Sequence, residues 1–282
     1  MERVSVYIPA YNVEQYLEPC VKAIRRQDYP VEEIIVVDDG SSDGTLALAK
    51  KLGVHVVKHL QNSGLACVRN TAVKTAKTEF VASLDADCVP IRSWLRLLME
   101  EITRSPSIAG AAGPLLEHNQ TKYPDLWRVT HMLQSWGDAP IINPGHLCGN
   151  NNVFRRSVLE EVGFYNEGPQ YRTNNEDYYI TRQMTGRGYT LIYNSDAVVW
   201  HLRKDTCHSI FRTYWRWFYL HRPRPDSIGG FIRKTRKNME LMQGFVIDDI
   251  MDGKIRLIPM ELLFVLYQAR FDLRYLLLGE EP

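Results

Sequence analysis

The sequence predicts an α/β fold, in which a mostly parallel sheet is flanked by helices and followed by a helical C-terminal extension. Short β-branched runs alternate with helix-compatible stretches through the first part of the chain, a pattern typical of parallel sheets with helices on both faces. The run Ile34–Val37 is apolar throughout, which suits a strand buried on both sides. The C-terminal part is amphipathic with helical spacing.

The elements follow in order along the chain. The predicted strands of the first half are Val4–Ile8, Ile34–Val37, Val54–Val57 and Phe80–Leu84. The predicted helices between and after them are Glu14–Arg26, Asp43–Lys51, Gly64–Ala76 and Arg92–Thr103. Residues 117–148 are irregular, with one helix near Asp125–Ser135, and regular structure resumes at Asn151–Arg156, Glu176–Arg187 and Tyr189–Tyr193. The C-terminal helices are interrupted at Arg222-Pro223-Arg224-Pro225.

Composition excludes several classes of protein. The chain has 282 residues and a formal net charge of +1, so we expect no nucleic-acid partner. Its five cysteines are scattered without CxxC spacing, which argues against a disulfide framework and a structural zinc site. The chain shows no secretory signal and no apolar stretch of about 20 residues, so we expect a cytoplasmic protein.

Small and polar residues follow three of the predicted strands. They read Pro9-Ala10-Tyr11-Asn12, Asp38-Asp39-Gly40-Ser41-Ser42 and Asp85-Ala86-Asp87. Ligands of parallel sheets bind beyond the carboxyl ends of the strands. We therefore expect these three segments to meet at one crevice.

The acidic pair Asp85 and Asp87 needs a compensating charge. Two carboxylates about 4 Å apart repel by roughly 4 kcal/mol at an effective dielectric constant near 20. A hard cation such as Mg²⁺ or Mn²⁺ takes oxygen ligands and bridges to phosphate oxygens. The alternative is a turn or N-cap pair before the helix that begins near Arg92.

Asp39 precedes a segment with its own structural explanation. Ser42 or Asp43 would cap the next helix, and Gly40 would provide the turn. That explanation requires no aspartate at position 39. An acidic residue at this strand end is well placed to bind a base or a ribose.

Four segments in order resemble the signatures of the family 2 glycosyltransferases. They are Val4–Asn12, Glu33–Thr45, Asn62–Asn70 and Asp85-Ala86-Asp87, which stands where that family carries its metal-binding DxD motif. The match covers about the first 90 residues and continues more weakly to about residue 202. The resemblance implies the Rossmann-like GT-A fold and an inverting transfer from a nucleotide sugar.

The resemblance also implies roles on the donor side. Pro9, Tyr11 and Asp39 would hold the base and ribose, and Arg69 would approach the base or the diphosphate. Asp85 and Asp87 would bind Mn²⁺ or Mg²⁺, and Asp85 would also contact the donor. The alternative for Arg69 is a surface arginine on a helix face. Asp39 suits the ring N–H of uracil; thymine and guanine also present one, so a UDP-sugar is only modestly favoured.

On the acceptor side, Gly149–Arg156 resembles the family's acceptor strand, the alternative being a turn rich in Asn and Gly. Asn175-Glu176-Asp177-Tyr178 resembles its ED motif, and an inverting transfer needs one carboxylate to take the acceptor proton. Asp177 is the candidate base. Acidic residues in a first helical turn are also favoured by the helix dipole alone. His201 would add a metal ligand or a diphosphate contact, as in some GT-A enzymes, the alternative being a polar residue with no role beyond its own hydrogen bonds.

These inferences define two predicted domains. Residues 1–202 would form the GT-A catalytic domain, with a nucleotide-binding half at 1–100 and an acceptor-binding half at 101–202. Residues 203–282 would form the helical extension.

The predicted enzyme moves one sugar to a saccharide, lipid-linked or protein acceptor. The C-terminal helices are compatible with a homodimer or with a peripheral contact with the inner face of the membrane. The rival functions are an inactive GT-A scaffold and a nucleotidyltransferase; the latter would need a Gly-rich phosphate loop near the N-terminus, which this sequence lacks.

Overall fold

The sheet predicted from the strand pattern is present in the computed structural model, which describes residues 2–172, 174–218 and 224–279. The strands are β1 (Val4–Ala10), β2 (Val31–Asp38), β3 (His55–Lys58), β4 (Phe80–Leu84), β5 (Cys88–Pro90), β6 (Ile108–Ala112), β7 (Leu115–Glu117), β8 (Ile141–Ile142), β9 (Asn151–Arg155), β10 (Thr190–Tyr193) and β11 (Val199–His201). The helices are α1 (Glu14–Arg25), α2 (Thr45–Lys51), α3 (Leu65–Thr75), α4 (Trp94–Ile102), α5 (Tyr123–His131), α6 (Arg156–Glu161), α7 (Glu176–Gly186), α8 (Cys207–Trp217), α9 (Ile228–Met251) and α10 (Ile258–Leu278).

The main sheet has the strand order β3-β2-β1-β4-β9-β6-β10-β8. Its strands β1 to β4 are mutually parallel, whereas β9 runs antiparallel between β4 and β6. A small second sheet joins β5, β11 and β7. The α/β prediction with a mostly parallel sheet and helical flanks is therefore confirmed.

Both faces of the main sheet are buried, as the apolar strands predicted. In β1, Val6 and Ile8 pack into the core on one face, while Tyr7 packs into the core on the other. All five residues of β4 are buried. Helices cover both faces, so the carboxyl ends of the central strands are the open edge of the sheet.

The chain divides into two compact units. The sheet unit comprises Met1–His118 and Gln134–Leu202, and the helical unit comprises Asn119–Leu133 and Arg203–Pro282. The segment Asn119–Leu133, which the sequence assigned to the acceptor-binding half, thus belongs with the C-terminal helices. The reason is that α5 buries Trp127 against Phe211 of α8 and Phe264 of α10, with ring centroids 5.1 and 5.9 Å away.

The helical unit has its own aromatic core. Trp127, Phe211 and Phe264 are fully buried there. In the predicted helix break, Arg222 and Pro223 lie outside the described residues, and Arg224 and Pro225 are not helical. Within the described part of the chain, none of the helices combines the length and apolar character that crossing a bilayer requires.

Candidate active site

The carboxyl ends of β1, β2 and β4 surround a cavity of about 220 Å³. Its lining includes Pro9, Tyr11, Asp39, Asp85 and Asp87, so the structure brings five of the predicted residues together. These strands are parallel neighbours in the sheet, and their ends therefore meet at one edge. Tyr11 is 49% exposed, which leaves a ring accessible to a planar ligand.

The loops after β1 and β2 are tied together by Asn12. Its Oδ1 accepts hydrogen bonds from the backbone nitrogens of Ser42 and Asp43, at 2.9 and 3.3 Å. Asn12 has a φ of 54°, in the left-handed region that asparagine tolerates better than most residues. This cross-link fixes the positions of Tyr11 and Asp39 at the cavity.

Asp39 is 3% exposed and already has protein partners. Its carboxylate accepts hydrogen bonds from the backbone nitrogens of Ser63 and Gly64, each at 2.9 Å, at the start of α3. His59 Nδ1 also lies 2.8 Å from Asp39 Oδ1. An ionised carboxylate offers about four acceptor positions, so these partners leave capacity for a ligand donor.

Asp85 and Asp87 lie just beyond β4, with side chains 32% and 16% exposed. Burial raises the pKa of Asp85, the Arg69 guanidinium lowers it, and the charge of Asp87 raises it, with a net upward shift. Arg69 Nη2 lies 3.3 Å from Asp85 Oδ1. Asp85 and Asp87 are thus close carboxylates at the end of a buried strand, with Arg69 and His201 as cationic neighbours, and such oxygens are suitable ligands for a hard divalent cation.

Arg69 lies in the interior of the sheet unit, 1% exposed. Its Nε donates to Glu176 at 3.1 Å, and its Nη1 donates to the Gly149 carbonyl at 2.8 Å and to Ser83. The sequence placed Arg69 beside the base or diphosphate, or on a helix surface. The structure rules out the surface position, because α3 turns this side chain inward, where the guanidinium joins Asp85 to the segments around Gly149 and Glu176. A contact of Arg69 with the donor stays a prediction.

His201 is nearly buried between two carboxylates. Its Nε2 lies 3.2 Å from Asp87 Oδ2, and its Nδ1 lies 2.8 Å from Glu117 Oε2. The second sheet positions these groups, since β11 pairs with β7 so that His201 stands opposite Glu117. Burial lowers the pKa of His201, but the carboxylates outweigh it and raise the pKa to about 9.

The two acidic residues that begin α7 differ in their surroundings. Asp177 Oδ2 accepts a 2.9 Å hydrogen bond from the backbone nitrogen of Gly149, and the charge of Asp177 contributes to the raised pKa of Asp85. Glu176 is 2% exposed, and burial together with the charge of Asp177 raises its pKa to about 7. Glu176 is paired with Arg69, whereas Asp177 has no ion pair of this kind among the described residues.

The order of these motifs matches a known family over more than half of the chain. Residues 5–163 match the family model described as Glycosyl transferase family 2. The chain belongs to glycosyl transferase family 2. The recognition made from the sequence is therefore confirmed.

Two curated proteins match over most of this chain. Glycosyltransferase AglE of Haloferax volcanii is 28% identical over 210 residues, covering 70% of this chain and 66% of AglE. Poly-β-1,6-N-acetyl-D-glucosamine synthase of Staphylococcus epidermidis is 24% identical over 228 residues, covering 77% of this chain and 54% of the synthase. The chain thus spans less than two thirds of each relative's length.

A solved structure shows the same fold. The mannosyltransferase PcManGT from Pyrobaculum calidifontis, in complex with GDP-Man and Mn²⁺, matches with a TM-score of 0.62 at 20% identity. The match covers 99% of this chain and 88% of that one. The GT-A fold implied by the sequence is thus confirmed.

The donor atoms at the family 2 acidic motif suit a divalent cation. Asp85 and Asp87 offer carboxylate oxygens, and His201 offers Nε2 on the side of Asp87. Glu117 accepts from the other ring nitrogen, an arrangement that commonly orients a metal-binding histidine. Hard oxygen ligands with one imidazole suit Mn²⁺, and the carboxylates alone suit Mg²⁺. The residues therefore fit the cation that the family implies.

Sequence reasoning missed two residues of this site. The sequence marks Glu117 only as the edge of the irregular segment, because its pairing with His201 depends on strands distant in sequence. It indicates Gly149 only as part of an acceptor strand, yet the N–H of Gly149 binds Asp177 and its carbonyl binds Arg69. A Cβ on Gly149 would lie 2.6 Å from Arg69 Nη2, so this position requires glycine. That glycine is the one feature of the sequence that indicates a close contact here.

Proposed function

We propose that this chain is a metal-dependent inverting glycosyltransferase that moves one sugar from a nucleotide-sugar donor, with UDP-sugars favoured, to an acceptor hydroxyl. The acceptor would be a saccharide, a lipid-linked sugar or a protein. The observation that carries the proposal is the convergence of Asp39, Asp85 and Asp87 on one cavity. The charge of Asp177 acts on Asp85 across the site and helps to raise its pKa. Membership of family 2 supports it.

The nucleoside would lie against the ends of β1 and β2. Pro9 and the exposed Tyr11 ring offer flat apolar surface for the base. Asp39 retains acceptor capacity for a ring N–H or a ribose hydroxyl, which favours bases that carry such a donor.

Asp85, Asp87 and His201 would hold Mn²⁺ or Mg²⁺. A relative of the same fold, the mannosyltransferase PcManGT, was solved with GDP-Man and Mn²⁺. Such a cation would supply positive charge where the departing diphosphate gains negative charge. Glu117 would keep the His201 ring oriented, and the buried Arg69 would position Asp85 at the donor diphosphate.

Asp177 would take the proton from the acceptor hydroxyl as that oxygen attacks the anomeric carbon. The Gly149 N–H fixes one carboxylate oxygen of Asp177. Glu176 is a poorer base because its carboxylate is buried against Arg69. In this proposal, residues after the strands bind the donor, and Asp177 of α7 transfers the proton.

None of the catalytic, donor-binding or metal-binding residues proposed for the transferase reaction belongs to the C-terminal helices. Leu262, Leu266 and Leu277 of α10 are 56%, 65% and 70% exposed. A homodimer or a peripheral membrane contact through these helices stays a prediction.

A donor panel tests the proposal. Purified protein is heated with UDP-, GDP- or dTDP-sugars, each with and without Mn²⁺, and the melting temperature is recorded alongside that of Asp87→Asn. We expect at least one donor to raise Tm of the wild type only when Mn²⁺ is present, and no donor to do so for Asp87→Asn. If none of the donors stabilises the wild type, the inactive scaffold becomes the better account.

A further inference from the structure

Three potential metal ligands lie close together inside the helical unit, and none of them is a residue of the candidate active site. His131 is the last residue of α5, Asp249 lies near the end of α9, and Glu261 lies in the first turn of α10. One ligand atom of each lies within 4.8 Å of the others. Three separate helices thus contribute one side chain each to a single point.

All three side chains are buried. Their relative exposures are 4% for His131 and 0% for both Asp249 and Glu261. Glu261 taken alone has a structural explanation, since acidic residues are favoured in a first helical turn. That explanation does not apply to Asp249, which lies near the opposite end of its helix.

The polar atoms of this cluster lack hydrogen-bond partners among the described residues. Both oxygens of Asp249, both oxygens of Glu261 and Nε2 of His131 are buried without one. Nε2 does lie within ion-pair range of both carboxylates, but one imidazole nitrogen carries at most one hydrogen to share among four carboxylate oxygens. Burying carboxylates without hydrogen-bond partners costs folding free energy. A bound group that contacts these oxygens would remove that cost.

The spacing matches a tetrahedral cation site. Nε2 of His131 lies 3.4 Å from Asp249 Oδ1 and 3.3 Å from Glu261 Oε1. Metal–nitrogen and metal–oxygen bonds of about 2.0–2.2 Å place tetrahedral ligand atoms about 3.3–3.5 Å apart. These two separations agree with ligands of a shared metal ion and are longer than most charge-assisted hydrogen bonds. The ligand atoms of Asp249 and Glu261 lie within 4.8 Å of each other.

Charge supports the same conclusion. Burial raises the pKa of Asp249 and of Glu261, although His131 lowers both. A divalent cation would neutralise two carboxylates and leave His131 neutral, so that no net charge remained buried. Aromatic rings enclose the histidine, with Phe245 4.4 Å and Trp127 5.1 Å from it between centroids.

We propose that His131, Asp249 and Glu261 bind a divalent first-row transition metal ion, with Zn²⁺ as the best-matched species, and that this ion fastens α5 to α9 and α10. One imidazole and two carboxylates are ligands that Zn²⁺ accepts, with a fourth position left for water. The site is structural, and it is independent of the proposed transferase activity.

Metal stoichiometry tests the proposal in a background without the acidic pair of the sheet unit. The full chain carrying Asp85→Asn and Asp87→Asn is stripped with EDTA, incubated with Zn²⁺, passed through a desalting column and analysed for metal. We expect about one Zn²⁺ per chain. Adding Asp249→Asn should abolish retention, whereas Asp248→Asn, a change at the exposed neighbouring position, should leave it intact.

A second measurement does not depend on how well Asp249→Asn folds. Zn²⁺ added to the stripped Asp85→Asn/Asp87→Asn protein should raise its Tm, because a ligand that binds only the folded state stabilises it. Absence of bound Zn²⁺ together with an unchanged Tm would overturn the proposal. Equal Zn²⁺ retention with and without Asp249→Asn would overturn it as well.

Discussion

Arg69 Nε donates a 3.1 Å hydrogen bond to Glu176 Oε1, with both side chains buried in the sheet unit. The same guanidinium lies 3.3 Å from Asp85. One cation therefore joins the end of β4 to the start of α7. Because Asp177 follows Glu176 directly, this link also fixes the candidate base relative to the candidate metal ligands.

Arg69→Gln should destabilise the protein strongly. It leaves Glu176 buried without its ionic partner, and breaking a buried pair in this way costs about 3–5 kcal/mol. The free energy of unfolding from urea titration measures the effect. Arg26→Gln, the same change at an exposed position of the sheet unit, should stay within about 0.5 kcal/mol. Similar losses for the two variants would show that Arg69 does not organise the interior.

Glu117→Gln should weaken metal binding while leaving the proposed metal ligands in place. Glu117 holds Nδ1 of His201, and loss of such an orienting carboxylate typically costs about 10–100-fold in metal affinity. Calorimetric titration with Mn²⁺ measures the change. Glu160→Gln at an exposed position of α6 is the control and should bind Mn²⁺ as the wild type does. If Glu117→Gln bound Mn²⁺ with the affinity of the wild type, the result would contradict the assignment of His201 as a metal ligand.

Gly40→Ala should destabilise the loop after β2 for two reasons. Its φ is 74°, and a Cβ would lie 2.9 Å from the Gln61 backbone. Gly53 offers a matched control, because its φ is 64° but nothing lies within 4 Å of its Cβ position. Both variants should lose about 1–2 kcal/mol to the left-handed backbone, and Gly40→Ala should lose clearly more in thermal unfolding. Equal losses would mean that the loop moves away from Gln61 without cost.

The sequence predicted the sheet and the strand-end residues because both depend on local patterns. Apolar runs mark β1, β2 and β4, and the residues after each strand must lie at one edge of a parallel sheet. Convergence of Asp39 with Asp85 follows from topology alone. His201 required the family resemblance, since a lone histidine near a strand end carries little information.

What the sequence did not predict depends on contacts between distant segments. Arg69 is a charged residue on a helix, and only the three-dimensional packing shows that its guanidinium is buried between Asp85 of the cavity and Glu176. Glu117 acquires its role through the pairing of β7 with β11. His131 joins the C-terminal helices because α5 packs with them, which periodicity within α5 cannot indicate.

Asp177→Asn tests the division between donor binding and proton transfer. The substitution keeps the shape of the side chain and an oxygen that can accept from Gly149, but removes the basicity that the reaction needs. Donor affinity with Mn²⁺ should therefore stay close to that of the wild type. Glu176→Gln, at the neighbouring position, should affect stability more than chemistry because Glu176 pairs with Arg69.

The most direct measurement is the rate of sugar transfer by Asp177→Asn at a donor concentration that saturates both proteins. An acceptor is first found by screening saccharides, lipid-linked sugars and peptides with the wild type and the donor that stabilises it. We predict a rate lower by about 10²–10⁴-fold with donor affinity unchanged. Transfer at the wild-type rate would contradict the assignment of Asp177 as the base.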